Sequence, residues 1–135
     1  MAAAVTIIRV ILERAGAPYP IPSLFSVAVL HTLLGPIYFA IRIGRGSVAR
    51  PYVQQFKLVA IYVALTRAMI LPTYWLARIY HWPESRFGGL WGPDVNAFVG
   101  FVAVPLVTAL IWVVISIIVG NVLGAVIIAL LRGQQ

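Results

Sequence analysis

Two ionisable side chains lie inside apolar stretches of this sequence, where such groups usually serve a function. Arg67 stands near the middle of residues 58 to 77, and His31 near the middle of residues 24 to 41. A charge in hydrocarbon costs about 2.5–3.5 kcal/mol on insertion scales, so it normally faces a cavity, a helix bundle or a partner. The acidic residues all lie outside the apolar stretches; they are Glu13, Glu84 and Asp94. Arg67 therefore has no obvious counter-ion within the predicted spans.

Several groups could satisfy the Arg67 guanidinium. Candidates are a carboxylate on another subunit, a lipid phosphate, an anionic ligand, or the backbone carbonyls that Pro72 leaves without a donor, because a proline ring removes a helical hydrogen bond. The alternative is a side chain that reaches the membrane surface through a kink in its helix. The sequence leaves both readings open.

His31 could bind haem or a metal, or it could form a hydrogen bond between helices. Haem would need a second axial ligand, and the other histidine, His81, is expected in a loop at a membrane face rather than at matching depth. A proton relay would need acidic partners inside the spans, and the sequence has none there. We therefore predict a helix-packing hydrogen bond, with no metal and no cofactor other than bound lipid.

The sequence lacks the motifs of the common enzyme classes. It contains no cysteine, no G-x-x-x-x-G-K-[ST] phosphate loop, no H-E-x-x-H zinc motif and no G-x-S-x-G nucleophile motif. Few acidic residues and histidines remain for acid–base chemistry. A non-enzymatic protein is predicted.

Basic residues are concentrated between the first two apolar stretches, in residues 42 to 57. This segment contains no acid, and the chain as a whole carries a net charge of +7. Its basic residues are Arg42, Arg45, Arg50 and Lys57. Such a cluster suits anionic lipid headgroups first and nucleic acid second. By the positive-inside rule it would lie in the cytoplasm together with the C-terminus.

Small residues recur every four positions in the last apolar stretch, at Ser116, Gly120 and Gly124. This spacing puts them on one side of a helix, where a second helix can approach closely. Asn121 could add a hydrogen bond between helices. The stripe is predicted to associate with a second copy of the chain or with other spans of the same chain.

These residues must be positioned by membrane helices, because 62% of the sequence is hydrophobic and only 10% is charged. The uncharged stretch from 95 to 131 would be about 55 Å long as one helix, whereas a hydrocarbon core is about 30 Å thick. It is predicted to be one very long helix or to break at Pro105 or at Gly120-Asn121. A kink is expected at Gly35-Pro36 in the first span.

The predicted fold class is a single all-α integral membrane domain, residues 1 to 135, with three transmembrane helices and a short N-terminal interfacial helix. Thr6, Arg9 and Glu13 share one side of that first helix. The predicted segments are an interfacial helix at 1–16, span 1 at 24–41, a basic loop at 42–57, span 2 at 58–77, an aromatic, glycine and proline-rich loop at 78–94, and span 3 at 95–131.

Three functions fit this architecture. The first is a structural or accessory subunit of a larger membrane assembly, in contact with lipids and other membrane subunits. The second is a self-assembling subunit of a lipid-containing filament or virion, since the order of span, basic loop and span in residues 24 to 77 resembles that of conjugative mating pilins. In such an assembly the loop would face nucleic acid or lipid headgroups; the third span departs from the resemblance. The third is a small oligomeric carrier or channel.

Overall fold

The computed structural model describes residues 2–18, 21–24, 26–83, 87 and 94–134, and these are mainly helical, with no strand among them. The helices are α1 (Ala2–Arg14), α2 (Ile21–Leu24), α3 (Val27–Gly44), α4 (Pro51–Ile79) and α5 (Val99–Arg132). Three of them, α3, α4 and α5, are long and apolar enough to cross a membrane. The prediction of an all-helical chain with three such helices is confirmed for the described residues.

The second long helix begins at Pro51, earlier than the predicted Leu58. Proline is favoured in the first turn of a helix because its ring fixes φ and its missing N–H is not needed there. The predicted boundary followed the apolar residues, whereas the helix starts at this proline. The predicted loop is therefore reduced to the turn at 45–50, and Arg42 and Lys57 lie in helices.

The third apolar stretch forms one continuous helix, with no break at Gly120-Asn121. Both α3 and α5 contain a five-residue π-helical turn that ends two residues before a proline, at Leu30–Leu34 and Val99–Ala103. A proline lacks the N–H that would bond the carbonyl four residues earlier, and a π turn is one way for a helix to adjust locally. In place of the kink expected at Gly35-Pro36 and the break considered at Pro105, the structure has a local change from α- to π-helical winding.

The long helices do not overlap along their whole length. Alpha3 packs against the C-terminal half of α5, where the Thr32 and Ser116 hydroxyls are 2.7 Å apart. The N-terminal part of α5 instead packs against the end of α4, where Trp75 Nε1 donates to the Phe101 carbonyl at 2.8 Å. Helix α1 packs beside α3 and α4. It therefore meets the bundle near the level at which α3 begins.

Polar side chains are buried and large apolar side chains are exposed, the reverse of a water-soluble protein. The buried polar residues are His31, Gln55, Thr66, Arg67 and Ser116. Exposed aliphatic and aromatic side chains occur along all three long helices and on α1. Soluble monomers rarely expose large continuous apolar surfaces. This distribution suits a chain surrounded by lipid.

Candidate functional site

A cavity of about 220 Å³ lies where α1, the start of α3 and the middle of α4 and α5 meet. Arg67 on α4 lines it, and so does Arg9 on α1. Its other polar lining residues carry hydroxyl groups: Thr6, Ser26, Thr73 and Tyr74. We call this space the polar cavity. Among the described residues Arg9 is paired with Glu13, so the lining has one unpaired cation, Arg67, among several hydroxyls, which suits an anion.

The first helix turns its polar side toward this cavity. Thr6 and Arg9 line the polar cavity, whereas Ile7 and Ile11 on other sides of α1 are 59% and 60% exposed. Arg9 Nε donates to Glu13 Oε1 at 2.8 Å, as the i, i+4 spacing predicts. An interfacial helix usually turns its polar side toward water. Here that side faces the protein, so α1 completes the wall of the cavity.

Arg67 is buried but lacks an acidic partner among the described residues. Its side chain is only 7% exposed, and its Nε atom has no hydrogen-bond partner in the described chain. The guanidinium carbon lies 5.3 Å from the centre of the Trp112 ring. A cation over an aromatic face gains about 0.5–2 kcal/mol, which offsets only part of the cost of burial. No hydrogen bond joins Arg67 to the carbonyls near Pro72 in the described structure.

An apolar groove adjoins the polar cavity, since the two share Thr6 and Thr73. The groove has a volume of about 260 Å³. Its remaining lining residues are Ile7, Val10, Ile11 and Trp82. A polar cavity next to an apolar groove suits an amphiphilic molecule.

Among the described residues the His31 side chain bonds only its neighbour Thr32, and Thr32 makes the contact with α5. The His31 Nδ1 atom lies 3.2 Å from the Thr32 hydroxyl, which lies 2.7 Å from the Ser116 hydroxyl on α5. The His31 Nε2 atom is buried and has no partner among the described residues. Within the described residues no cluster of histidine or acidic side chains could hold a metal ion.

The small-residue stripe on α5 packs inside the chain. A Cβ atom added at Gly120 would lie 2.6 Å from Pro36 Cγ on α3 and 3.3 Å from Val59 Cγ1 on α4. At Gly124 an added Cβ would collide with the side chain of Gln55. Ser116, Gly120 and Gly124 are all buried. The stripe is therefore occupied by other spans of the same chain, which is the alternative to association with a second copy.

The hydrogen bond between helices that the sequence suggested for Asn121 is made instead by Gln55. Asn121 Nδ2 donates to the Ile117 carbonyl of its own helix at 2.7 Å, so it does not join two helices. Gln55, which sequence reasoning missed, is 1% exposed and donates from Nε2 to the Pro36 carbonyl at 3.0 Å. The sequence contained a signal for this contact, because Gln55 precedes Val59 by one helical turn and the two therefore share one side of a helix. In the structure Val59 lies beside Gly120 and Gln55 lies beside Gly124.

The basic residues of the first connection lie at the end of the bundle that contains the C-terminus. They are all exposed: Arg42, Arg45, Arg50 and Lys57. Arg132 near the end of α5 donates from one nitrogen to the carbonyls of Gly46 and Val48, at 3.2 and 2.8 Å. The sequence did not suggest this role for Arg132, which fixes the turn at 45–50 to α5.

The loop predicted at 78–94 lies partly outside the described residues, which exclude 84–86 and 88–93 and therefore Glu84. Comparison of the chain with models of protein families, with curated proteins and with solved structures gave no match.

Proposed function

We propose that this protein is a non-enzymatic integral membrane subunit of a larger membrane assembly. The apolar surface of α5 supports this proposal, because it is longer than the hydrocarbon core of a bilayer. Phe98, the residue before α5, is 68% exposed, and Leu130 near its end is 63% exposed. At 1.5 Å per residue these positions are about 48 Å apart along the helix.

A tilt does not bring this surface inside the hydrocarbon core. Transmembrane helices tilt by up to about 40°, and at that tilt a length of 48 Å still spans about 37 Å across the membrane. The core is about 30 Å thick. Several ångströms of exposed apolar surface thus extend into the headgroup region or beyond. Burial of apolar surface stabilises by about 25 cal/mol per Å², so a neighbouring protein that covers these ends is favoured.

The internal packing favours contact with a different protein over a homopolymer built on the stripe. The small residues that would bring two α5 helices together already contact α3 and α4. The exposed arginines at the C-terminal end of the bundle remain available for anionic headgroups. By the positive-inside rule this end of the bundle would lie in the cytoplasm, by a margin of one basic residue.

Site-specific photocrosslinking tests the proposal. A photoreactive amino acid at Leu130 should crosslink, in membranes of the native host, to one protein species in an amount comparable with the chain itself. The same amino acid at Ile115, exposed near the middle of α5, is the control and should crosslink chiefly to lipid. Purification in a mild detergent should then recover the same species in a fixed ratio.

Two results would contradict the proposal. Crosslinks from Leu130 only to the chain itself, with a ladder of homopolymers, would indicate a self-assembling subunit. A lone monomer that crosslinks only to lipid at both positions would indicate a protein that acts without partners, such as a small carrier.

A further inference from the structure

We infer that the polar cavity and the apolar groove together bind one singly charged phospholipid. Its phosphodiester would lie in the polar cavity beside Arg67, and one acyl chain would follow the apolar groove along α1. The inference shares with the proposed function only the location in a membrane, and it does not depend on a partner subunit.

The charge of the polar cavity fits a monoanion. Of its two lining arginines, Arg9 is already paired with Glu13 at 2.8 Å. Arg67 has no acidic partner among the described residues, and its buried Nε atom has no acceptor. One uncompensated positive charge therefore lines the cavity. Arginine commonly binds phosphate through the planar fork of N–H donors on its guanidinium group.

The sizes of the two spaces fit the two parts of a phospholipid. Each is smaller than the roughly 300 Å³ lower limit of pockets for drug-sized ligands; the polar cavity measures about 220 Å³ and the groove about 260 Å³. A headgroup phosphodiester with ordered water can enter the first space, and a segment of one chain can enter the second. The rest of the lipid would lie against the exposed side of α1.

The groove favours a lipid over free phosphate as the source of the anion. Its walls are formed mainly by Ile7, Val10, Ile11 and Trp82. These apolar side chains stabilise a hydrocarbon chain but do not stabilise a hydrated ion. Removal of a chain from water adds about 0.8 kcal/mol for each buried CH₂ group. An acyl chain in the groove would therefore raise affinity for a lipid above that for inorganic phosphate.

Native mass spectrometry of the full chain in dodecyl maltoside tests the inference. With equal amounts of phosphatidylglycerol and phosphatidylcholine added, the protein should retain one phosphatidylglycerol at least tenfold in preference. Arg67→Gln should lower this retention by about tenfold or more, since hydrogen bonds to charged groups are the stronger class. Arg45→Gln, at an exposed turn position, is the charge-matched control and should leave retention unchanged. Equal retention by Arg67→Gln and wild type would overturn the inference.

A second pair of variants keeps Arg67 and tests the groove. Val10→Trp fills the groove and should reduce phosphatidylglycerol retention, whereas Ile8→Trp, on an exposed side of α1 outside its lining, should not. Equal retention by these two variants would contradict the placement of the acyl chain. Displacement of the lipid by millimolar inorganic phosphate would also overturn the inference, because it would make free phosphate the ligand.

Discussion

Substitution Gly120→Ala tests whether the small-residue stripe holds the helices of one chain together. The added Cβ would lie 2.6 Å from Pro36 Cγ and 3.1 Å from Pro36 Cβ. A proline ring cannot rotate away from such a contact, because it is closed onto the backbone. Alpha5 must therefore move away from α3.

The cost follows from the contacts beside Gly120. Overpacking a tight site costs about 1–3 kcal/mol. Movement of α5 also strains the Thr32–Ser116 hydrogen bond of 2.7 Å and the position of Gln55, which donates to Pro36 at 3.0 Å. Interhelical bonds of this kind average about 0.6 kcal/mol each in a membrane protein. Alanine regains about 1 kcal/mol at most in helix propensity. The net destabilisation is about 1–3 kcal/mol.

The assay is reversible unfolding of the chain from mixed micelles by sodium dodecyl sulfate, followed by tryptophan fluorescence. Gly120→Ala should unfold at a lower detergent fraction, and its loss of stability should not depend on protein concentration. Ala129→Val is the control, because it adds two carbons at an exposed position of the same helix. A variant as stable as the wild type would refute the close contact with Pro36. A loss of stability that diminishes as the protein concentration rises would instead show that the stripe joins two copies.

Two further substitutions probe hydrogen bonds between segments. Trp75→Phe removes the N–H that bonds the Phe101 carbonyl at 2.8 Å, a carbonyl that Pro105 cannot bond because it has no N–H. The substitution should lower the free energy of unfolding by about 0.5–1.5 kcal/mol. The loss should be smaller in a Pro105→Ala background, as a double-mutant cycle in the same unfolding assay would show. Arg132→Gln weakens the hold of α5 on the turn at 45–50, so trypsin should cleave that turn several-fold faster in detergent; an unchanged cleavage rate would show that the turn is rigid without Arg132.

Sequence reasoning identified the long helices because each apolar stretch has at least about the length needed to cross a membrane. It placed the start of α4 too late because it followed apolarity, and a helix start signal at Pro51 was overlooked. It also allowed a break at Gly120-Asn121, where α5 is continuous. Glycine in a packed membrane helix serves close approach, and a break there would lose the contacts with Pro36 and Gln55.

The site was predicted less completely than the helices. Arg67 and His31 were identified because an ionisable residue stands out in an apolar sequence. The cavity beside Arg67 was not predicted, since it depends on α1 folding back so that Thr6 and Arg9 face α4. Such a contact joins residues about 60 positions apart, and no local pattern specifies it. Gln55 was missed because it lies in a polar segment that was expected to form a loop.

The buried polar residues fall into two groups, those that hold the helices together and the arginine that lines the proposed binding site. Between helices in lipid there is little hydrophobic driving force, so close contacts and hydrogen bonds must hold them together. Gln55 meets this need through its bond to the Pro36 carbonyl of α3. Thr32, which also bonds His31, meets it through its bond to Ser116 of α5. His31 Nε2 and Gln55 Oε1, like Arg67 Nε, are buried without a partner among the described residues. Arg67 differs, since its guanidinium carries a charge, makes no hydrogen bond to the described residues and borders open space. A buried polar group without an acceptor costs about 1–3 kcal/mol, and more when it is charged. Packing among the described residues therefore leaves the Arg67 Nε without an acceptor, which the proposed anion would supply.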